Sequence, residues 1–182
     1  MTTLTDDTKL GGKTLGRVVF SDDDIQLRIR ELGAEITAAY SASDRLLVLG
    51  LLKGSFLFMA DLVRMIALPL HVDFLVAASY GASKTSSGDV RLLYDPDASL
   101  KGRAVLIVED IIDSGNTLRH LIPQLEIRGP SSLEVCALLH KRLTTLDPKA
   151  RWVGFNAPNE FLVGYGLDDA EDFRHLQYIA SL

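Results

Sequence analysis

Four runs of the chain are short, aliphatic and almost free of polar alternation: LLVLGLL (46–52), VDFLVAASY (72–80), AVLIVED (104–110) and LEVCALL (133–139). A strand covered on one face alternates apolar and polar residues, whereas a strand covered on both faces does not. These runs therefore predict central strands of a parallel sheet. SFLFMADLVRMIA (55–67) and TLRHLIPQLEIRG (117–129) lie between some of them and carry apolar residues at helical spacing. Such strand–helix–strand alternation predicts an α/β fold, a central parallel sheet flanked by helices with right-handed crossovers. Pro123 falls inside the second helix and predicts a kink or an early end, because its ring removes a backbone donor and crowds the preceding turn.

Upstream, RVVF (17–20) predicts a short strand and SDDDIQLRIRELGAEITAAY (21–40) a helix. Ser21 can cap that helix, and the three aspartates after it favour the positive end of the helix dipole. Ile25, Ile29, Leu32 and Ile36 fall on one face. GASKTSSGDVRLLYDPDASLKG (81–102) starts rich in Gly, Ser and Thr; it reads either as a solvated hairpin or loop or as a mobile lid. Beyond Lys141 the elements shorten and turns multiply, which predicts a small cap over the sheet's edge.

With 182 residues the chain fits one domain and can bury a core without disulfides or a structural metal. Its 47% hydrophobic and 24% charged residues are an ordinary globular balance. A net charge of −5 argues against nucleic acid as the main partner. No run approaches the roughly 18 apolar residues of a membrane span, so no membrane partner is expected. The N-terminal stretch lacks a basic-then-oily signal pattern and reads as a polar, frayed start. Cys136 is the sole cysteine, which excludes an intrachain disulfide and fits a reducing, cytoplasmic location; its apolar surroundings suit a buried thiol. His71, His120, His140 and His175 are scattered without metal-ligand spacing.

The candidate chemistry gathers in VLIVEDIIDSGNTL (105–118). In open parallel sheets, ligands bind beyond the carboxyl ends of strands. Glu109 and Asp110 stand at such an end. The turn DSGNT (113–117) then leads into a helix, where small residues, converging N–H groups and the hydroxyls of Ser114 and Thr117 suit a phosphate-sized anion. Alone, such a turn also reads as an ordinary capped helix start. The acids shift the balance. Carboxylates beside a phosphate repel it unless they serve another part of the ligand, and ribose hydroxyls or a magnesium ion are natural partners. The pattern points to a sugar phosphate.

This segment resembles the motif with which type I phosphoribosyltransferases bind phosphoribosyl pyrophosphate. LLKGSFLFMADL, VDFLVAASYG, LEVCALLHKR and EFLVGYGLD resemble, in the same order, segments of the hypoxanthine-guanine phosphoribosyltransferases, so the likeness covers about residues 45–180. The resemblance implies the type I phosphoribosyltransferase fold with a small hood over the carboxyl edge of the sheet. It implies transfer of a 5-phosphoribosyl group from phosphoribosyl pyrophosphate to a 6-oxopurine, with Mg2+, and a homodimer or homotetramer.

The resemblance also implies roles. Glu109, Asp110, Ile111, Ile112, Asp113, Ser114, Gly115, Asn116 and Thr117 form the phosphoribosyl and nucleotide site. Asp113 stands where the family has its general base near N7 of the purine, though Asp also suits a helix N-cap. Lys141 meets the 6-oxo group; an ammonium only donates, so adenine's amino group is refused. Phe161 matches the aromatic that stacks on the purine, against the alternative of a core Phe at a strand start. The main chain of Leu162 and Asp168 faces the purine edge.

Lys53, Gly54 and Arg174 match the pyrophosphate contacts, with a cis peptide between Leu52 and Lys53. Glu109, Asp110 and Asp168 are the metal-facing acids, and Ser79 and Tyr80 match the Ser-Tyr pair at the start of the mobile loop. Asp169 stands where the family carries Tyr, and Pro123 is atypical. Two competing readings share the fold: a regulatory protein that senses the sugar phosphate, and a sister transferase acting on xanthine or a pyrimidine.

Overall fold

The computed structural model describes residues 10, 12–79, 90–94, 96, 98–141 and 150–182, with backbone alone at 78, 79, 90 and 91. Six strands form the main sheet in the order β4-β3-β2-β5-β6-β7. They are β4 (Val90–Tyr94), β3 (His71–Ser79), β2 (Leu47–Leu52), β5 (Ala104–Ile112), β6 (Ser132–His140) and β7 (Trp152–Asn156). All pair in parallel except β4, which runs antiparallel to β3 at one edge. A second, antiparallel sheet has the order β1-β9-β8, from β1 (Val18–Phe20), β9 (Ile179–Ser181) and β8 (Leu162–Val163).

The lack of polar alternation in the central runs has a direct structural cause. Val48, Leu106, Val108, Cys136 and Leu138 face helices α1 (Asp22–Ala39) and α2 (Phe56–Met65). Their neighbours Leu47, Leu49, Leu51, Val105, Ile107, Val135 and Ala137 face α3 (Asn116–Glu126) on the other side. In β2, β5 and β6 both pleats are buried, so both are apolar; β3 leaves Val72 and Phe74 exposed, so the expectation of cover on both faces does not hold for that run. At roughly 25 cal/mol per Å2 of apolar surface removed from water, this sandwich supplies most of the driving force for folding.

Helix α1 starts as its sequence predicts. Ser21 Oγ accepts from the Asp24 N–H at 3.2 Å, and Asp24 Oδ2 accepts from the Ser21 N–H at 3.2 Å. Ile25, Ile29, Leu32 and Ile36 are all buried. Gly33 lies among them where α1 crosses α2; a Cβ there would sit 2.4 Å from Met65 Cβ and 2.7 Å from the Met65 carbonyl oxygen. Helix α3 runs through Pro123 but closes at Glu126, three residues short of the predicted end.

Two segments join the main sheet beyond the four predicted strands. Within 81–102, residues 90–94 form edge strand β4, a hairpin partner of β3. Within the stretch expected to cap the sheet, β7 instead extends the main sheet alongside β6, with Trp152 buried. The small sheet alone forms the hood, and it recruits β1 from the start of the chain. Residues 1–9 and 11 of the predicted frayed start, about 1–14, and the whole of the predicted lid, 81–89, lie outside the described residues. Among the described residues no helix is long and apolar enough to cross a membrane.

Two outcomes follow from the packing. Gly33→Val should lower unfolding free energy by about 1–3 kcal/mol in a urea titration, the usual cost of overpacking; undiminished stability contradicts the close α1–α2 crossing. Cys136 is fully buried, and burial pushes its thiol pKa up, so the reactive thiolate is suppressed. A thiol reagent at neutral pH should label the denatured chain and spare the native one; rapid native labelling contradicts the burial.

Candidate active site

Pairing between β2 and β5 ends at Gly50 opposite Val108, whereas pairing between β5 and β6 continues to Ile112 opposite His140. Chain connection also reverses here: β2 leads through α2 to β3 on one side, and β5 leads through α3 to β6 on the other. A parting of strands at such a switch point forms a crevice at their carboxyl ends. Glu109 and Asp110 occupy it, just beyond the run of buried aliphatics Ala104 to Val108 of β5.

Both acids are displaced from ordinary behaviour. Burial, aided by the charge of Asp110, pushes the Glu109 pKa well up, and Glu109 Oε2 has no hydrogen-bond partner among the described residues. Burial raises the Asp110 pKa to about 6, opposed by backbone N–H groups and the Arg174 guanidinium. A buried oxygen without a donor is costly, so it is matched to a donor from elsewhere.

The turn after β5 has the expected form. Gly115 takes a left-handed backbone (φ 73°), which glycine adopts without a Cβ penalty. Asn116 N–H approaches Ser114 Oγ at 3.4 Å, and α3 begins at Asn116. Glu109 and residues 111–118 line a concavity of about 90 Å3 in front of the helix. The first-turn N–H groups and helix dipole favour an anion there.

The turn after β2 closes the crevice. The Leu52–Lys53 peptide is cis, as the sequence resemblance implies. A Cβ at Gly54 would lie 1.6 Å from Asp110 Oδ2, so only glycine permits this approach. The hood meets the same turn from above: Gly166, with φ 96°, passes so close that a Cβ would lie 2.1 Å from the Gly54 carbonyl oxygen. Tyr165 fixes this hood loop to α2 by donating to Asp61 Oδ2 at 2.6 Å.

Arg174 holds the loop from within. It donates from Nη1 to the Gly166 carbonyl at 2.7 Å and pairs through Nη2 with Asp168 Oδ1 at 2.8 Å. Its Nε is buried without a partner among the described residues. The structure thus brings Lys53, Gly54, Asp110, Asp168 and Arg174 together. It adds Glu171, whose carboxylate meets Lys53 Nζ at 2.9 Å. Sequence reasoning missed Glu171, because a lone Glu in a charged stretch reads as solvated surface.

On the other side of the crevice, Lys141 Nζ lies 3.2 Å from Asp113 Oδ2, and the Lys141 N–H donates to the Ile112 carbonyl at 3.0 Å. That backbone bond ties the end of β6 to the end of β5 and sets the two side chains facing each other. Asp113 is therefore engaged by a cation, and the N-cap of α3 is Gly115, not Asp113. Leu162 is buried at the start of β8, while Phe161 beside it is 56% exposed, so it is not a core residue. Among the described residues no ring or cation contact engages its side chain. Ser79 ends β3, and Tyr80 lies outside the described residues.

Comparison with known proteins agrees with this arrangement. A family model described as the phosphoribosyl transferase domain matches residues 22–170. A hypoxanthine phosphoribosyltransferase of Haemophilus influenzae is 48% identical over 168 residues, covering 91% of this chain and 94% of that protein. A hypoxanthine-guanine phosphoribosyltransferase of Dictyostelium discoideum is 44% identical over 169 residues, with the same two coverages, 91% and 94%. Among solved structures, a hypoxanthine phosphoribosyltransferase from Staphylococcus aureus superposes with a TM-score of 0.86 at 39% identity, over 92% of this chain and 91% of that one. With its strand order, its parted sheet and its glycine turn, this chain belongs to the phosphoribosyltransferase family.

Proposed function

We propose that the protein is a purine-salvage enzyme. It transfers the 5-phosphoribosyl group of phosphoribosyl pyrophosphate to hypoxanthine or guanine and releases pyrophosphate. The observation that carries this reading is the pairing of a partnerless buried carboxylate, Glu109, with an anion-suited turn in one crevice. The likeness to hypoxanthine and hypoxanthine-guanine phosphoribosyltransferases supports the choice of base.

In this reading the 5′-phosphate rests on the turn Ser114, Gly115, Asn116 and Thr117, with Ile111 and Ile112 shaping the floor and Asp113 turned to the base. Glu109 and Asp110 accept from the ribose hydroxyls, which supplies the missing donors. The purine stacks on Phe161, whose exposed ring is available for it. Lys141 donates to the 6-oxo group, and main-chain groups of Leu162 and Asp168 line the far edge. As the bond from C1 of the ribose to pyrophosphate breaks and N9 bonds to C1, N7–H of the purine becomes acidic. Asp113 takes that proton, and Lys141 stands 3.2 Å away to balance the charge.

Pyrophosphate leaves into the pocket of Lys53, Gly54 and Arg174. The approach of Gly54 to Asp110 and the pairing of Arg174 with Asp168 support this placement. Among the described residues no group of three metal-ligating side chains forms a protein cage. Mg2+ is commonly held by one or two carboxylates together with substrate phosphates and water. Asp110 and Asp168, with Glu109 behind them, fit that mode; the ion supplies charge neutralisation of the leaving pyrophosphate. Ser79 and Tyr80 keep the role that the sequence resemblance implies for them, next to the segment that would close over the site. A cytoplasmic location fits the single buried thiol, and the exposed Val72, Phe74 and Tyr94 offer apolar surface for a homodimer or homotetramer.

A substrate panel tests the function: phosphoribosyl pyrophosphate and magnesium with hypoxanthine, guanine, xanthine, adenine or uracil, reading nucleotide formed. Hypoxanthine or guanine should react and adenine should not. Adenine as the best substrate removes the role of Lys141, and no product with any base favours a regulatory protein. Asp113→Asn should cut kcat by about 10²-fold or more, the scale of general base catalysis; full activity removes the general-base role from Asp113. Gly54→Ala should raise KM for phosphoribosyl pyrophosphate, since the new methyl meets the Asp110 carboxylate; an unchanged KM contradicts the close approach.

A further inference from the structure

The loop from Asp168 to Arg174 carries an acid that the proposed reaction does not use. Glu171 reaches two cations from separate parts of the chain. Its Oε1 lies 2.9 Å from Lys53 Nζ, on the turn after β2, and its Oε2 lies 3.4 Å from Arg174 Nη2. Lys53 and Arg174 are the cations assigned above to pyrophosphate. We propose that Glu171 is a resident counter-anion of the pyrophosphate subsite: its carboxylate occupies Lys53 and Arg174 until pyrophosphate displaces it, and so sets how tightly pyrophosphate-bearing ligands are held. The inference rests on the reading of Lys53 and Arg174 as pyrophosphate contacts.

The backbone is built to present this carboxylate. Glu171 has φ 72°, and Ala170 and Phe173 beside it have φ 51° and φ 73°. Left-handed backbone is unfavourable for residues with a Cβ, and such conformations persist only where their surroundings hold them. Here they are held from several sides. The Glu171 N–H donates to Asp168 Oδ2 at 2.9 Å. Asp169 and Asp172 exchange backbone hydrogen bonds of 3.3 Å and 3.0 Å across the loop. Lys13 Nζ bridges their side chains at 3.5 Å and 2.9 Å and lies over the Phe173 ring. Asp169, the residue that departs from the family pattern, thus has a role in this anchoring.

Charge and exposure fit a displaceable contact. Lys53 and Arg174 bring two positive charges, and Asp168 and Glu171 bring two negative ones, so these four side chains balance one another without a ligand. Asp168 pairs with Arg174 on a partly buried side, where exchange is hindered. The Lys53–Glu171 pair is exposed at both ends, and such pairs are weak enough to exchange with solvent. The Lys53 ammonium also lowers the Glu171 pKa, which keeps the competitor ionised. A polyanion outbids one carboxylate for the same cations. When pyrophosphate is the product, the returning carboxylate helps it leave.

The test is Glu171→Gln, which keeps size and shape and removes the charge. The full chain is titrated calorimetrically with inorganic pyrophosphate, with and without magnesium, and KM and kcat for phosphoribosyl pyrophosphate are measured alongside. Pyrophosphate should bind roughly two- to five-fold tighter at low salt, the range of an exposed ion pair. KM should fall with it and kcat should not rise. The gain should vanish near 1 M salt, where the screening length is about 3 Å. It should also shrink in a Lys53→Met background, because coupled residues are not additive. A merely structural Glu171 gives weaker binding on substitution, and weaker or unchanged binding overturns the inference while leaving transferase activity intact. A wild-type chain that neither binds pyrophosphate nor transfers the phosphoribosyl group overturns the underlying reading as well.

Discussion

The site depends on the parting of β2 from β5 after Gly50 and Val108. Up to that point the two strands exchange backbone hydrogen bonds and bury apolar side chains on both faces. Beyond it, α2 and α3 leave on opposite sides, and no neighbouring strand fills the gap. Among the described residues the buried carboxylate of this sheet, Glu109, is placed in that opening with Asp110 beside it. The apolar walls that make the sheet stable also strip Glu109 and Asp110 of water and raise their pKa values. Fold stability and site chemistry therefore come from the same pair of strands.

The rest of the crevice is an answer to close approach. Gly54 lets the β2 turn reach Asp110, and Gly166 lets the hood reach Gly54. Tyr165 and Arg174 then fasten the hood loop to α2 and to its own backbone. Rigid contacts of this kind preorganise cations and acids before a ligand arrives, which lowers the cost of binding. Lys141 and Asp113 form a second preset pair on the opposite side, aligned by the backbone bond between β6 and β5.

Much of this was legible in the chain. The four aliphatic runs located strands of the main sheet; burial on both faces leaves no polar positions in β2, β5 and β6, whereas β3 is aliphatic with Val72 and Phe74 exposed. Ser21 and the aspartates after it located the start of α1. The Glu109–Asp110 pair before the Gly115 turn located the crevice, since few ligands suit both acids and an anion cradle. Strand β4 was legible only as the hairpin in one of two readings of 81–102, and β7 was not legible, because edge strands are short and half-covered and resemble loops in sequence. Glu171 was invisible for another reason: its place is set by a left-handed backbone and by partners more than a hundred residues away, such as Lys53. Family resemblance supplied the purine contacts; spacing alone reached only a sugar phosphate.

The central claim is that one crevice holds the phosphate on the turn and the ribose on the paired acids. A crystal structure with inosine monophosphate tests it most directly. The account predicts the phosphate within hydrogen-bond distance of the N–H groups of residues 114–117, with the ribose hydroxyls on Glu109 and Asp110. A nucleotide whose phosphate lies away from that turn, or whose ribose hydroxyls face away from both acids, contradicts it.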